Sequence, residues 1–403
     1  MKGNVVIQPS LKPFVIDDDD RYARMRLIAW WDQQRISAAK IMVVGAGALG
    51  NEVLKNLALL GVGTIHIVDF DQVQPSNLTR SVLFRQQHTG MNKATVAASM
   101  AGELNPDCQL IAHDADVIHD IGLGIVREMD VVIGCLDNRE ARLWVNRMCF
   151  KANTPWIDGG IQEINGVAKV FRPPAGPCYE CTMTENDYRL ISLRYSCPML
   201  KQEDIQQGKT PTAPTIASII GGLQVQEALK LLHELPNAEG SALVFNGVAN
   251  QFYNTKFALR DDCLSHETFA DIESSALSAH NTSRELFDSI SAHLDLNNDS
   301  QLTLVLDRDY LESLVCRSCD ITQSIGRPRF QVKQAEGLCS NCQQPMQPVS
   351  VCEIGADDSL ADVPMQQIGV PDREIVRVRI DQCDHFFELA SIADSVAETS
   401  SAR

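Results

Sequence analysis

Short apolar runs at residues 41–44, 64–69, 108–113 and 130–135 alternate with stretches at 47–60, 92–104, 118–128 and 138–152 that carry a helical apolar pattern. Strand-length runs separated by helical stretches follow the rhythm of βαβ units, which predicts an α/β fold: a doubly wound parallel sheet with helices on both faces. After Trp156 the rhythm changes. WIDGGIQEINGVAKVF and SALVFNGVANQFYNTKFAL read as longer β segments, as expected of an antiparallel half that receives a substrate. Between them, IASIIGGLQVQEALKLLHEL reads as an amphipathic helix whose glycines allow close packing. Met1 to Asp20 ends in four aspartates and is expected to be a flexible segment, followed by a helix over RYARMRLIAWWDQQ. The polar stretch FADIESSALSAHNTS lacks an apolar stripe and predicts a boundary near residue 270. Beyond it, one helix-like segment (SRELFDSISAHL) and several short strands predict a smaller α+β domain over 270–403, with a β-grasp or ubiquitin-like sheet as the candidate fold.

The first strand and its sequel carry chemistry. IMVV is followed by a glycine loop (Gly45, Gly47, Gly50), then by a second strand ending in Asp69, then by SNLTRSVLFRQQHTGMNK. Glycines between a strand and a helix let the backbone approach phosphates at the positive end of that helix. Asp69 stands where a carboxylate accepts hydrogen bonds from ribose hydroxyls. Those features suit NAD as well as ATP. The cluster Asn77, Arg80, Arg85 and Lys93 breaks the tie, because a triphosphate needs several neutralising donors and a dinucleotide fold needs few beyond its loop. The expected nucleotide is ATP.

Cysteines add metal chemistry. The chain has 13 of them, six in three close pairs. In a large chain without a leader that pattern favours zinc over disulfides. Cys316, Cys319, Cys339 and Cys342 form CxxC…CxxC, the spacing of two knuckles closing on one tetrahedral Zn²⁺, a zinc ribbon over 316–342. Cys178 and Cys181 form a further CxxC with no second such pair nearby. Cys108, Cys135 and Cys149 fall in strand or helix patterns and read as core; Cys352 and Cys383 are left unplaced.

At this point the chain resembles the superfamily of ubiquitin-activating enzymes and their bacterial ThiF and MoeB relatives. The resemblance runs from about Arg21 to His266 and rests on ordered motifs: RYAR, GAGALG, VDFD, SNLTR, GMNK, CLDN and CYEC. It implies a Rossmann-like adenylation domain of the ThiF/MoeB type over 21–269. By the same resemblance Asp69 holds the ribose, with Asp71 of the same motif in the nucleotide site, while Asn77, Arg80 and Lys93 hold phosphates and Asp137 holds Mg²⁺. Arg24 would reach ATP in a partner subunit, which requires a homodimer. Ser81 departs from the family, where glutamine usually follows the arginine, and it is left out of the site. The resemblance also places Cys263 and His266 of DDCLSH where relatives carry the second zinc pair, so that these two would complete a site with Cys178 and Cys181; imidazole can replace one thiolate. Finally it implies a crossover loop over about 186–213 that carries a reactive cysteine, here Cys197. Arg194 and Lys201 flank Cys197 closely enough to favour its thiolate.

Composition narrows the partners. A net charge of −17 argues against nucleic acid or an anionic membrane, both of which reward basic surfaces. With no basic and apolar N-terminal leader and no run of 18 or more apolar residues, a cytoplasmic location is expected. The leading function is ATP-dependent adenylation of a ubiquitin-like (β-grasp) protein, thioester formation on Cys197, and transfer to a conjugating enzyme. The alternative uses the same adenylate for sulfur transfer to a carrier protein in thiamine or molybdopterin synthesis; the long loop after Cys197 and the extra C-terminal domain weigh against it. An NAD-dependent oxidoreductase would leave Arg80, Lys93 and Asp137 without a role, and a purely structural protein would leave the whole phosphate cluster unexplained. For the C-terminal domain, recruitment of a conjugating enzyme and a dimerisation or stability role are both open.

Overall fold

The computed structural model describes residues 19–189, 211–297 and 299–392. Helix α1 (Gln33–Ala38) leads into β1 (Lys40–Val44), α2 (Ala48–Leu60), β2 (Thr64–Val68), α3 (Lys93–Leu104), β3 (Gln109–His113), α4 (Leu123–Arg127), β4 (Val131–Gly134) and α5 (Arg139–Lys151). The hairpin β5 (Trp156–Gln162) and β6 (Asn165–Phe171) follows, then α6 (Pro214–Leu232) and the hairpin β7 (Ser241–Asn246) and β8 (Gln251–Lys256). The eight strands form one sheet in the order β3-β2-β1-β4-β5-β6-β7-β8. The first five are parallel and the remainder antiparallel, so the change of rhythm after Trp156 is the change of strand direction.

Strand β1 is apolar throughout after Lys40 because both faces of the sheet are covered. Ile41 and Val43 pack with Val53, Leu54 and Leu57 of α2, whereas Met42 and Val44 pack with Val145 and Met148 of α5. Helix α6 lies along α2. A Cβ on its Gly221 would stand 2.9 Å from the Cβ of Glu52, so a larger residue there would push the helices apart. The order runs outward from β1 in both directions, to β2 and β3 on one side and β4 on the other. That makes the C-terminal ends of β1 and β4 a switch point, where open α/β sheets leave a crevice for ligands.

The second sheet is built from β9 (Glu273–Ser278), β10 (Leu302–Cys316), β11 (Ile321–Pro328), β12 (Gln347–Gly355), β13 (Ile375–Ile380) and β14 (Cys383–Ala390), with one helix, α7 (Ser283–His293). Its order is β11-β10-β13-β14-β9, and β12 also pairs with β10. Helix α7 starts in a reciprocal cap between Thr282 and Glu285. It buries Leu286, Phe287 and Ile290 against Leu304, Val378 and Leu389. The first and last strands, β9 and β14, are parallel neighbours under a single helix, as in a β-grasp, but β9 lies at the sheet edge.

Three expectations need correction. The run RYARMRLIAWWDQQ is not one helix: it opens in turns with a short 3-10 turn at Met25–Leu27, and α1 begins only at Gln33. Asp20 accepts from the Tyr22 amide and pairs with Arg26, the Tyr22 hydroxyl accepts from buried Asn105, and Asp32 caps α1. Those side-chain bonds compete with a continuous helix. The helical pattern over 118–128 yields only α4, because Asp116 and Asp120 fold the preceding residues into a turn and Gly122 caps the helix. The polar stretch near residue 270 contains an edge strand, β9, where Ser274 and Ala276 face solvent and Ser278 is buried.

The two sheets meet around a buried ion pair of the second, whose two members each reach across to the first. Arg308 and Glu374, each 8 % exposed, lie 2.6 Å apart. Arg308 also donates to the carbonyls of Ile118 (2.8 Å) and Ile121 (3.2 Å), and its guanidinium sits 4.8 Å over the Trp144 ring. Glu374 accepts from the Leu123 amide, and Gly124 donates to the Arg373 carbonyl. Cβ atoms at Gly122 or Gly124 would come within 2.1 and 2.6 Å of the 372–373 backbone, so the docking needs both glycines. Removing one charge of such a pair strands the other: Arg308→Ala should lose about 3 to 5 kcal/mol in denaturant unfolding. The double replacement Arg308→Met with Glu374→Leu should recover only part of that loss, because the Ile118 and Ile121 carbonyls and the Leu123 amide stay unpaired. A single variant as stable as wild type would show that the pair does not hold the sheets together.

Candidate nucleotide cleft and metal centres

The glycines divide their tasks by position. Gly45 has φ +95°, and a Cβ there would stand 2.5 Å from the Cys135 carbonyl oxygen. At Gly50 a Cβ would meet the Gly45 carbonyl oxygen at 1.9 Å, so α2 can pack under the loop only with glycine. Around Gly47 nothing lies within 4 Å, which leaves its backbone open to a ligand. Buried Asn51 holds the loop from beneath, donating to the carbonyls of Ala46 (2.7 Å) and Gly47 (2.9 Å) and accepting from the Leu83 amide (2.9 Å). The free amides at the start of α2 therefore face the crevice, a site suited to anions.

A cavity of about 2550 Å³ opens there. Gly45, Gly47, Asp69, Asp71, Asn77, Arg80, Lys93 and Asp137 all line it. Asp69 is fixed by the amides of Ala46 (2.7 Å) and Asp71 (2.8 Å). Burial pushes its carboxyl up, against the pull of Lys93 and those two amides. The Lys93 ammonium lies 2.7 Å from Asp71. The Asn77 side chain accepts from the Gln74 amide, and Arg80 donates to the Ser76 carbonyl. Asp137 is exposed at the end of β4, beside Asn138, which caps α5. Arg85 does not join this group: its guanidinium donates to the carbonyls of Val82 and Phe84. Arg24 is exposed and away from the cavity lining. Cys197 lies outside the described residues.

The cavity floor carries charges that the sequence pattern passes over. Asp158, 2 % exposed, lies 2.8 Å from Arg142 and 3.8 Å from Lys169. Burial draws Lys169 down, opposed by Asp158. A carboxylate inside the apolar strand WIDGG, with two arginines one turn apart in NREAR, was the available signal. Cys135 also lines the cavity, but burial pushes its thiol far up, so it is no nucleophile.

Among the described residues, two groups of side chains could hold a metal ion, and both match the expected sets: Cys178, Cys181, Cys263 and His266, and Cys316, Cys319, Cys339 and Cys342. In the first, Cys178 lies 3.8 Å from Cys181 and 3.5 Å from Cys263, and Cys181 lies 3.4 Å from His266 Nε2. Ligands about 2.3 Å from a tetrahedral zinc are about 3.8 Å from one another, so the donors fit the ion. Glu180, between the cysteines, was not foreseen. Burial raises its carboxyl, but hydrogen bonds from Arg147, Ser265 and Tyr188 outweigh that and hold it below the usual range. It thereby ties the two ligand loops together. In the ribbon, the amides of Cys342 and Asn341 point at the Cys339 sulfur and pull its thiol down to about 7, which favours the thiolate that binds zinc.

The ThiF family pattern matches residues 20–265 of the 403. The chain belongs to the ThiF family. Among curated relatives, SUMO-activating enzyme subunit 2 of Dictyostelium discoideum is 40 % identical over 148 residues, 36 % of this chain and 22 % of that protein. Adenylyltransferase and sulfurtransferase MOCS3 of Mus musculus is 32 % identical over 253 residues, 62 % of this chain and 52 % of its own length. The chain thus spans between about a fifth and a half of these ThiF relatives. A structure of E. coli MccB with ATP shares the fold, with a TM-score of 0.52 and 22 % identity over 62 % of this chain and 75 % of that one. No helix among the described residues is long and apolar enough to cross a membrane.

The donor geometry predicts two zinc ions per chain by metal analysis. His266→Ala should lower the count to one, and Cys316→Ser should remove the other. One zinc in wild type, unchanged by His266→Ala, would show that the first group holds no metal.

Proposed function

We propose that this ThiF-family chain uses ATP to adenylate the C-terminal carboxylate of a small ubiquitin-like protein. One observation supports the reading: anion donors at Gly47, Arg80 and Lys93 line a single cavity of about 2550 Å³. Drug-sized ligands occupy about 300 to 1000 Å³, so an extended peptide tail can share the space with a nucleotide. A carboxylate oxygen would form a bond to the α-phosphorus while the bond from that phosphorus to the bridging oxygen breaks and pyrophosphate leaves. The protein's part is positional and electrostatic. Asp69 fixes the ribose, and Arg80 and Lys93 neutralise the phosphates, Lys93 exchanging Asp71 for phosphate. Asp137 would hold Mg²⁺, which supplies further positive charge against the phosphate oxygens.

In the leading route the acyl group then passes to Cys197: the sulfur bonds to the carbonyl carbon, AMP leaves with the bonding pair, and the thiol proton goes to solvent. A conjugating enzyme accepts the thioester. The higher identity to SUMO-activating subunits, 40 %, supports this route. A second reading, activation of a sulfur carrier, is supported by the longer reach of the MOCS3 match, 253 residues against 148. We assign 21–269 to the adenylation unit and 270–403 to an accessory unit, in a cytoplasmic homodimer where Arg24 reaches the partner's nucleotide.

Pyrophosphate exchange into ATP should appear only with the cognate small protein present. Asp137→Ala should abolish it, and Lys93→Ala should reduce it at least 100-fold, about 2.7 kcal/mol. Unchanged exchange in both would remove these residues from the site. Cys197→Ala should keep exchange but lose a thiol-sensitive adduct on a non-reducing gel. If wild type forms no adduct while exchange is robust, the sulfur-carrier reading replaces the leading one.

A further inference from the structure

We infer that the C-terminal sheet completes the nucleotide site, with Phe330 forming part of the wall that receives the purine. This deepens the adenylation reading and rests on it.

The strand order sets the direction of the nucleotide. The glycine loop follows β1, Asp69 follows β2, and β3 lies outside β2. The ribose of a nucleotide stands between base and phosphates. Phosphates on the loop and ribose on Asp69 therefore send the base towards the end of β3. The segment that follows β3, Asp116 to His119, lines the cavity there. It does not line it alone. Phe330, from a short turn after β11, stacks on His119 with ring centroids 4.1 Å apart and planes 11° from parallel. Phe330 is 38 % exposed and also lines the cavity, so its ring presents aromatic surface beyond the part that His119 covers.

The surroundings suit a neutral planar base. Burial lowers the pKa of His119, against the opposing pull of Asp116 and with the help of Arg308. The imidazole is thus uncharged at neutral pH and does not compete with Arg80 and Lys93 for phosphate. Purines stack well on such faces. Phe330 is also held in place. Arg308 binds the carbonyls of Ile118 and Ile121 on either side of His119, and Arg329, next to Phe330, pairs with Asp309 at 2.9 Å. The second sheet is therefore fastened to the segment that would face the base.

Calorimetric titration of the full chain with ATP, and separately with inorganic tripolyphosphate as a probe without a base, tests this. Phe330→Ala should weaken ATP binding by roughly 5- to 20-fold and leave tripolyphosphate unchanged. Phe330→Tyr, which restores the ring, should bind ATP as wild type does. Unchanged ATP affinity in Phe330→Ala would overturn the inference, and so would an equal loss for both probes, because the effect would then not belong to the base. Wild-type protein that binds neither probe would overturn the adenylation reading itself.

Discussion

The structure depends on the tight crossing of Gly50 beneath Gly45 and on the buried amide of Asn51 that seals it. That one side chain satisfies three backbone groups of the loop and its neighbour Leu83, and leaving any of them buried and unpaired would cost about 1 to 3 kcal/mol. With the loop closed in this way, β1 runs directly into α2 and the unpaired amides of the helix face the cavity. Asp69 can then accept from Ala46, which ties the carboxylate proposed to hold the ribose to the loop proposed to hold the phosphates. A bulkier residue at 50 or a side chain lacking the amide at 51 would disturb all of these together.

The chain as a whole is acidic, at −17, yet its cleft collects Arg80, Lys93, Arg142 and Lys169. Each cation is held by a carboxylate or carbonyl, so the site is organised before any ligand arrives. That arrangement favours exchange of a protein carboxylate for a phosphate, as at Lys93 and Asp71, over capture of anions in general. The second sheet takes part in the same enclosure. Its anchor, Arg308, is shielded from water and bonded on several sides, which makes the sheet a fixed wall and not a freely swinging appendage.

Much of this was readable along the chain. The first four of the five parallel strands, β1 to β4, fall within a residue of their predicted limits because a strand buried on both faces must be apolar along its length. The glycine loop, Asp69 and the ribbon cysteines were legible because backbone approach and tetrahedral ligation impose fixed residue types at short spacing; Cys263 and His266, 85 residues from Cys178 and Cys181, came only from the family resemblance. Other features were not. The opening helix failed because Asp20 and Asp32 redirect the backbone through side-chain bonds that periodicity does not register. Arg85 looked like a phosphate donor by proximity in sequence but spends its guanidinium on nearby carbonyls. The contribution of the second sheet to the cleft rests on contacts such as Glu374 with Leu123, 251 residues apart, beyond the reach of any local pattern.

A crevice at the ends of β1 and β4 that is built for a triphosphate should discriminate against a dinucleotide. Equilibrium dialysis of the purified chain with labelled ATP, challenged by unlabelled NAD, measures this directly. One ATP should bind per chain, with no displacement by NAD at equal concentration. Displacement of ATP by NAD, or NAD bound where ATP is not, would contradict it.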